Sequence, residues 1–176
     1  MTRRSILAPA VAALVPFAAA PMQPSAATAA EMAVVLPFEI ILEDTLEGIP
    51  MVRPEEKKRL EMMTAETVAQ LSGPGGYVLA DPTPLAKEID DKSPFFKCNG
   101  CEADVAKKLG AEIAVTGLVQ KGSASAANIS IAMRSVATGE LVRTAGITVL
   151  ENSDEGWLRG VRSLIKNRLL PQEKKP

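Results

Sequence analysis

A single mixed α/β domain, of about five strands and three helices, is the fold class this sequence predicts. Three observations carry it. A nearly continuous apolar run, Met32 to Leu42, has the pattern of a strand covered on both faces. Three stretches, 53–72, 102–109 and 152–169, place apolar residues at helical spacing. Between the last two, 128–136 alternates apolar and polar residues, and 141–150 returns as its hairpin partner. The expected order is strand, helix, strand, helix, three further strands and a closing helix.

Residues 1–30 read as an export signal and 31–176 as the domain. Arg3 and Arg4 supply a positive start, Ile6 to Ala20 are apolar, and small residues fill Ser25 to Ala30, so cleavage after Ala29 or Ala30 fits. Pro9 and Pro16 interrupt the apolar run, which is too short for a spanning helix of roughly 20 residues. No cysteine lies near the cut, so a lipid anchor is not indicated. The order Thr2-Arg-Arg-Ser-Ile-Leu7 partly resembles a twin-arginine signal, although paired arginines are also ordinary for such a segment. The expected compartment is the periplasm.

Within the domain, Pro37 lacks a donor and predicts that pairing changes or ends inside the first strand. The acidic run around Glu43, Asp44 and Glu47 follows as a loop. Its oxygens suit a hard cation such as calcium or a lanthanide, but the spacing is not that of an EF-hand loop, and a solvated acidic turn is the plainer reading. Pro54 fits a first helical turn, Glu55 and Glu56 fit the helix dipole, and Leu60, Met63, Val68 and Leu71 form the predicted buried stripe. Met62 and Met63 read as core filling rather than a soft-metal site.

After the short strand 77–80, residues 81–97 look irregular. Asp81-Pro-Thr-Pro84 opposes helix, Leu85 to Ile89 leaves room for one turn, and Asp90 and Asp91 begin another loop. Those two aspartates are candidate additions to an oxygen-ligand metal set with Glu43, Asp44 and Glu47. Phe95 and Phe96 are expected to pin the loop to the body, the other reading being an exposed partner site. The second helix stops at Gly110. The last starts at Asn152 or Ser153 and buries Trp157, Leu158, Val161, Leu164, Ile165 and Leu169.

Composition removes most chemistries. The chain has no histidine, which excludes Ser-His-Asp and Cys-His nucleophile activation, histidine-ligated zinc and haem, and an imidazole shuttle. Gly73-Pro-Gly-Gly76 lacks the Lys-Ser/Thr of a phosphate loop, and Pro74 removes an amide the cradle would need. Loss of residues 1–30 removes two arginines from 20 basic residues and leaves 18 against 21 acidic ones, a net charge of −3. A mildly acidic surface without a basic block argues against nucleic acid as partner.

Cys98-Asn-Gly-Cys101 holds the only two cysteines. Haem attachment would need histidine at 102, which is Glu, and a structural zinc site would need two more soft ligands. Two readings remain: a structural disulfide across a helix start, or a working dithiol whose first thiolate is held by the helix N-terminus. Glu102 and Asp104 would raise a nearby thiol pKa, which favours the disulfide.

The segments Ala33-Val-Val-Leu-Pro-Phe38, Gly117-Leu-Val-Gln120 and Val136-Ala-Thr-Gly-Glu-Leu-Val142 resemble the small α/β domain at the N-terminus of TolB and of CsgG-like periplasmic proteins. A fuller set resembles an exported proteobacterial family of unknown function, the DUF2380/DUF3280 type. It comprises Leu36-Pro-Phe-Glu39, Leu46-Glu-Gly48, Cys98-Asn-Gly-Cys-Glu-Ala-Asp104, Asp154-Glu-Gly-Trp157 and Asn167-Arg-Leu-Leu170. That resemblance implies company with quinoprotein alcohol dehydrogenases, hence a supporting role in methanol or alcohol oxidation and its calcium or lanthanide supply. It transfers no catalytic residue. The expectation is a non-enzymatic binding or adaptor protein with a periplasmic protein partner, contacted through 81–98 and the acidic turn, and with no cofactor unless calcium or a lanthanide. The alternatives are a carboxylate metal binder and a thiol-disulfide participant.

Overall fold

The structure is a computed structural model that describes residues 30–42, 51–122 and 125–170. The expected export signal and the acidic turn with Glu43, Asp44 and Glu47 lie outside the described residues.

One mixed sheet holds every described strand. It comprises β1 (Met32–Val35), β2 (Glu39–Leu42), β3 (Val78–Leu79), β4 (Ile113–Lys121), β5 (Ala127–Ser135) and β6 (Leu141–Val149). The order is β3-β1-β4-β5-β6, with β2 also on β4. β1 lies parallel to β3 and β4, β2 lies parallel to β4, and β4, β5 and β6 form an antiparallel meander. The four described α-helices are α1 (Pro54–Ser72), α2 (Ala86–Lys92), α3 (Cys101–Lys108) and α4 (Asp154–Leu164), the last running into a π-helical turn at Ile165–Leu169.

Two counts differ from expectation. The first strand is split: after the Leu36 amide donates to the Val115 carbonyl at 2.9 Å, Pro37 and Phe38 leave the ladder and β2 resumes against the same strand, with Val35 opposite Val115 and Glu39 opposite Leu118. Proline offers no amide to the ladder, and the Phe38 amide turns to Thr64 Oγ1 of α1 at 3.0 Å. The Phe38 ring fills the space that a side chain at Gly117 would occupy. The extra helix is α2, inside the stretch read as irregular. Pro82 and Pro84 are absorbed by a 3-10 turn at Thr83–Leu85, and the helix is then held by i,i+4 pairs, Lys87 with Asp91 and Glu88 with Lys92. Ile89 anchors it in the core.

β1 is buried on both faces, as the apolar run starting at Met32 implies, while β2 is only half-buried. Ala33, Val35, Ile113, Val115, Ile129, Ile131 and Met133 face α1 and α4, where they meet Met63, Leu71, Trp157, Val161 and Leu164. Val34, Leu36 and Ala114 face the other way, onto Ile89, Phe95, Val105 and Ala106. The α1 stripe runs through Met63, Thr67 and Leu71, four residues apart. Val68, a hundred degrees round the helix from Thr67, is left at 39% exposed. Thr67 satisfies its hydroxyl on the Met63 carbonyl at 2.8 Å. Ser153 caps α4 through the Gly156 amide at 3.0 Å, where capping chemistry predicts it.

Among the described residues, coverage of the second face is incomplete. Helices α2 and α3 reach β1 and the start of β4, while Thr116, Leu118, Ser130 and Ala132 are not fully buried beyond them. β6 is the outer strand on that side of the sheet. Arg168, from the terminal π-turn, donates to its Gly146 carbonyl at 2.6 Å, and Arg143 of β6 donates to the Leu169 carbonyl at 2.9 Å.

Candidate functional site

The uncovered part of the sheet and the disulfide loop together form a cleft of about 390 Å³. Its floor is Thr116 and Leu118 of β4 with Ser130, Ala132 and Arg134 of β5. One wall is Phe95 to Asn99 with Glu102, and Leu141 of β6 closes the other side. Strand alternation sets the floor, because each of these sheet residues points away from the α1–α4 core.

The loop wall is fixed from two directions. Glu39 of β2 accepts hydrogen bonds from the amides of Phe95 at 2.7 Å and Phe96 at 3.3 Å and from Ser93 Oγ at 3.0 Å. Cys98 and Cys101 are joined as a disulfide across the start of α3, a bond that the structural and the redox reading of the pair share. Gly100 makes the turn between them, at φ +100, a conformation that glycine adopts without strain. The two phenylalanines divide the roles expected of them. Phe95 pins the loop and is 4% exposed, whereas Phe96 is 40% exposed at the cleft rim with the Lys97 ammonium 5.9 Å from its ring centre.

Glu102 is the charged group at the base of the loop wall. It is 6% exposed, and its Oε1 accepts from Arg134 Nε at 2.5 Å. Arg134 also donates to the Gly139 carbonyl at 2.5 Å, which orients its guanidinium across the floor. Glu102 Oε2 is buried without a hydrogen-bond partner among the described residues. A carboxylate oxygen of Glu102 and the two sulfurs lie within 4.8 Å of one another.

Of the predicted oxygen-ligand residues only Asp90 and Asp91 are described, and neither lines the cleft. Asp90 and Asp91 are exposed neighbours on α2, and Asp91 Oδ2 holds Lys87 Nζ at 2.7 Å. Adjacent helical positions diverge, so the two carboxylates do not face one another. Elsewhere in the stretch 81–98 the carboxylates serve as ties. The Thr83 hydroxyl, then its amide, holds the Asp81 carboxyl below its ordinary pKa, and Lys108 with Lys92 does the same for Glu88, joining α2 to α3.

Sequence reasoning found the disulfide and its helix, but not Arg134, Thr116, Ser130 or Leu141. Arg134 and Glu102 are 32 positions apart and nothing local links them. The usable signal was the alternation of β5, which places Arg134 on the wet face.

The fold is similar to that of lipoprotein GNA1162 from Neisseria meningitidis, at TM-score 0.51 and 15% identity over 77% of this chain and 94% of that one. It is also similar to E. coli LpoB, at TM-score 0.50 and 12% identity over 86% of this chain and 84% of that one. At such identities the likeness is one of fold, a small mixed α/β domain. No curated protein sequence matches the chain. Residues 31–169 match the family model DUF3280, described as a protein of unknown function (DUF2380), and the chain belongs to that family.

Proposed function

We propose that this chain is a non-enzymatic exported protein that binds a protein partner across the open half of its sheet. The observation that carries the reading is the cleft itself: a sheet face only partly covered beside a loop braced by Glu39 and the disulfide. Apolar side chains stand out at its edges, with Phe96 40% and Leu141 52% exposed. Exposed apolar groups gathered at one concave place mark contact surfaces more often than scattered ones do. Lys97 adds positive charge at the rim, so the fitting partner segment carries apolar side chains beside a carboxylate. The export part rests on the charged-apolar-small order of residues 1–30, and no described helix is long and apolar enough to cross a membrane.

The composition favours contact over turnover, since histidine is missing and both cysteines are joined. The family resemblance names the first partner to present, a periplasmic quinoprotein alcohol dehydrogenase, with and without calcium or a lanthanide. A photo-crosslinking residue at Leu141 of the mature chain should capture one protein from periplasmic extract. Phe96→Asp should abolish that capture, and Arg159→Glu on the far face of α4 should leave it intact. Capture that ignores Phe96→Asp, or turnover of a small substrate by the purified chain, would overturn the proposal.

A further inference from the structure

We infer that Cys98, Cys101 and Glu102 form a divalent-metal site that becomes available when the disulfide is reduced. The inference is independent of the partner-binding reading. It starts from an oddity of Glu102. Its Oε1 is held by Arg134, yet Oε2 is buried and bare, and a bare buried carboxylate oxygen is costly. A carboxylate oxygen of this residue and both sulfurs lie within 4.8 Å of one another, so a cation between them would meet all three.

Charge decides which ion fits. With the disulfide closed, Glu102 and Arg134 cancel. Opening it as two thiolates would put two further negative charges beside a buried carboxylate, which a dication restores to neutrality and a monocation does not. Thiolate ligands select against calcium and magnesium, which take oxygen, and favour zinc-like ions. Two thiolates and one carboxylate make three protein ligands, the number found in open zinc sites whose fourth position is water. Cys98 lines the cleft, which supplies both the entry path and that water.

The redox step balances with a dithiol as reductant. The dithiol loses two electrons and two protons and becomes a disulfide, the Cys98–Cys101 bond opens to two thiols, and the incoming metal displaces their two protons to solvent. The requirement for two more soft ligands, which weighed against zinc in the sequence, applies to a closed structural site. The open type accepts a carboxylate.

Cobalt(II) is the probe, because thiolate coordination gives it a near-ultraviolet charge-transfer band and tetrahedral geometry gives visible bands. The mature chain, reduced with dithiothreitol and freed of it without oxygen, should take up one equivalent with both signatures and release it to zinc. The oxidised chain should bind none. Glu102→Gln should keep the charge-transfer band but weaken binding by at least the roughly tenfold that loss of an outer-shell partner costs a metal site. Cys98→Ser should lose the band. Equal binding by reduced and oxidised chains, equal binding by Glu102→Gln and the parent, or no uptake by the reduced chain would each overturn the inference. Should reduction loosen the fold, zinc must restore the near-ultraviolet dichroism of Trp157, and failure to do so would count the same way.

Discussion

Glu39 and Phe95 are 56 positions apart, and the carboxylate of the first receives the backbone amide of the second at 2.7 Å. Through this bond β2 governs the position of the disulfide loop. Phe96 and Ser93 add further donors to the same carboxylate, so one side chain orders the whole turn that precedes Cys98. Glu39→Ala should cost about 2 kcal/mol, the scale of hydrogen bonds to a charged acceptor. Denaturant unfolding measures that loss, and hydrogen exchange should show the amides of Phe95 and Phe96 opening first. An unchanged exchange rate at both amides would show that the loop does not depend on Glu39.

The Phe38 ring and Gly117 make a second dependence. Gly117→Val should destabilise the domain by about 1–3 kcal/mol, because the added side chain collides with the ring in a packed interior. Pairing it with Phe38→Ala should recover part of the loss, since the collision goes while the new side chain fills some of the vacated space. Additive losses in the double variant would disprove the steric coupling.

Glu56 and Lys121 form an ion pair at 2.5 Å, with both side chains buried. Burial pushes the Glu56 carboxyl up, but the Lys121 ammonium, the Arg53 amide and the nearby positive charges outweigh it, and its pKa falls below the ordinary value. The unfolded chain therefore binds this proton more readily than the folded one. The pair's contribution is complete above the ordinary carboxyl range and is lost as pH falls through the depressed folded value. Lys121→Met, which strands the carboxylate, should cost about 3 kcal/mol at neutral pH and should flatten the acid limb of the stability curve. A parallel curve displaced by a constant amount would exclude Glu56 as its origin.

Opening the disulfide should leave the fold in place. The loop it closes is short, and chain entropy assigns such a cross-link about 2 kcal/mol. Cys98→Ser with Cys101→Ser should therefore lower the midpoint of thermal unfolding while keeping the native dichroism, because Val105 and Ala106 still anchor α3 in the core. An unfolded double variant would mean that the bridge, and not this packing, holds α3.

Much of the fold was legible because periodicity reports burial. The alternation of 128–136 is β5, the helical stripe ending near Gly110 is α3, and Pro37 marked the break between β1 and β2. The stretch 81–97 was harder, since its helix depends on pairs such as Glu88 with Lys108, twenty positions away. The site was less legible still. Cys98 and Cys101 announced themselves, but a cleft is made by what the helices fail to cover. No local pattern foretells that α2 and α3 stop short of β5, or that Arg134 reaches Glu102. Val68 misled for a related reason: it satisfies helical spacing from Leu71, but the stripe turned through Thr67.

The outermost strand has a consequence for how the chain behaves when concentrated. A nine-residue ribbon with no proline could recruit a sister chain and seed fibrils. The Gly146 carbonyl in its middle is already engaged by Arg168, so an arriving chain finds that docking point taken. The guard is tethered to the last described turn, Ile165–Leu169. Arg168→Ala would remove it, and the variant should gelate or form filaments at concentrations where the parent stays clear.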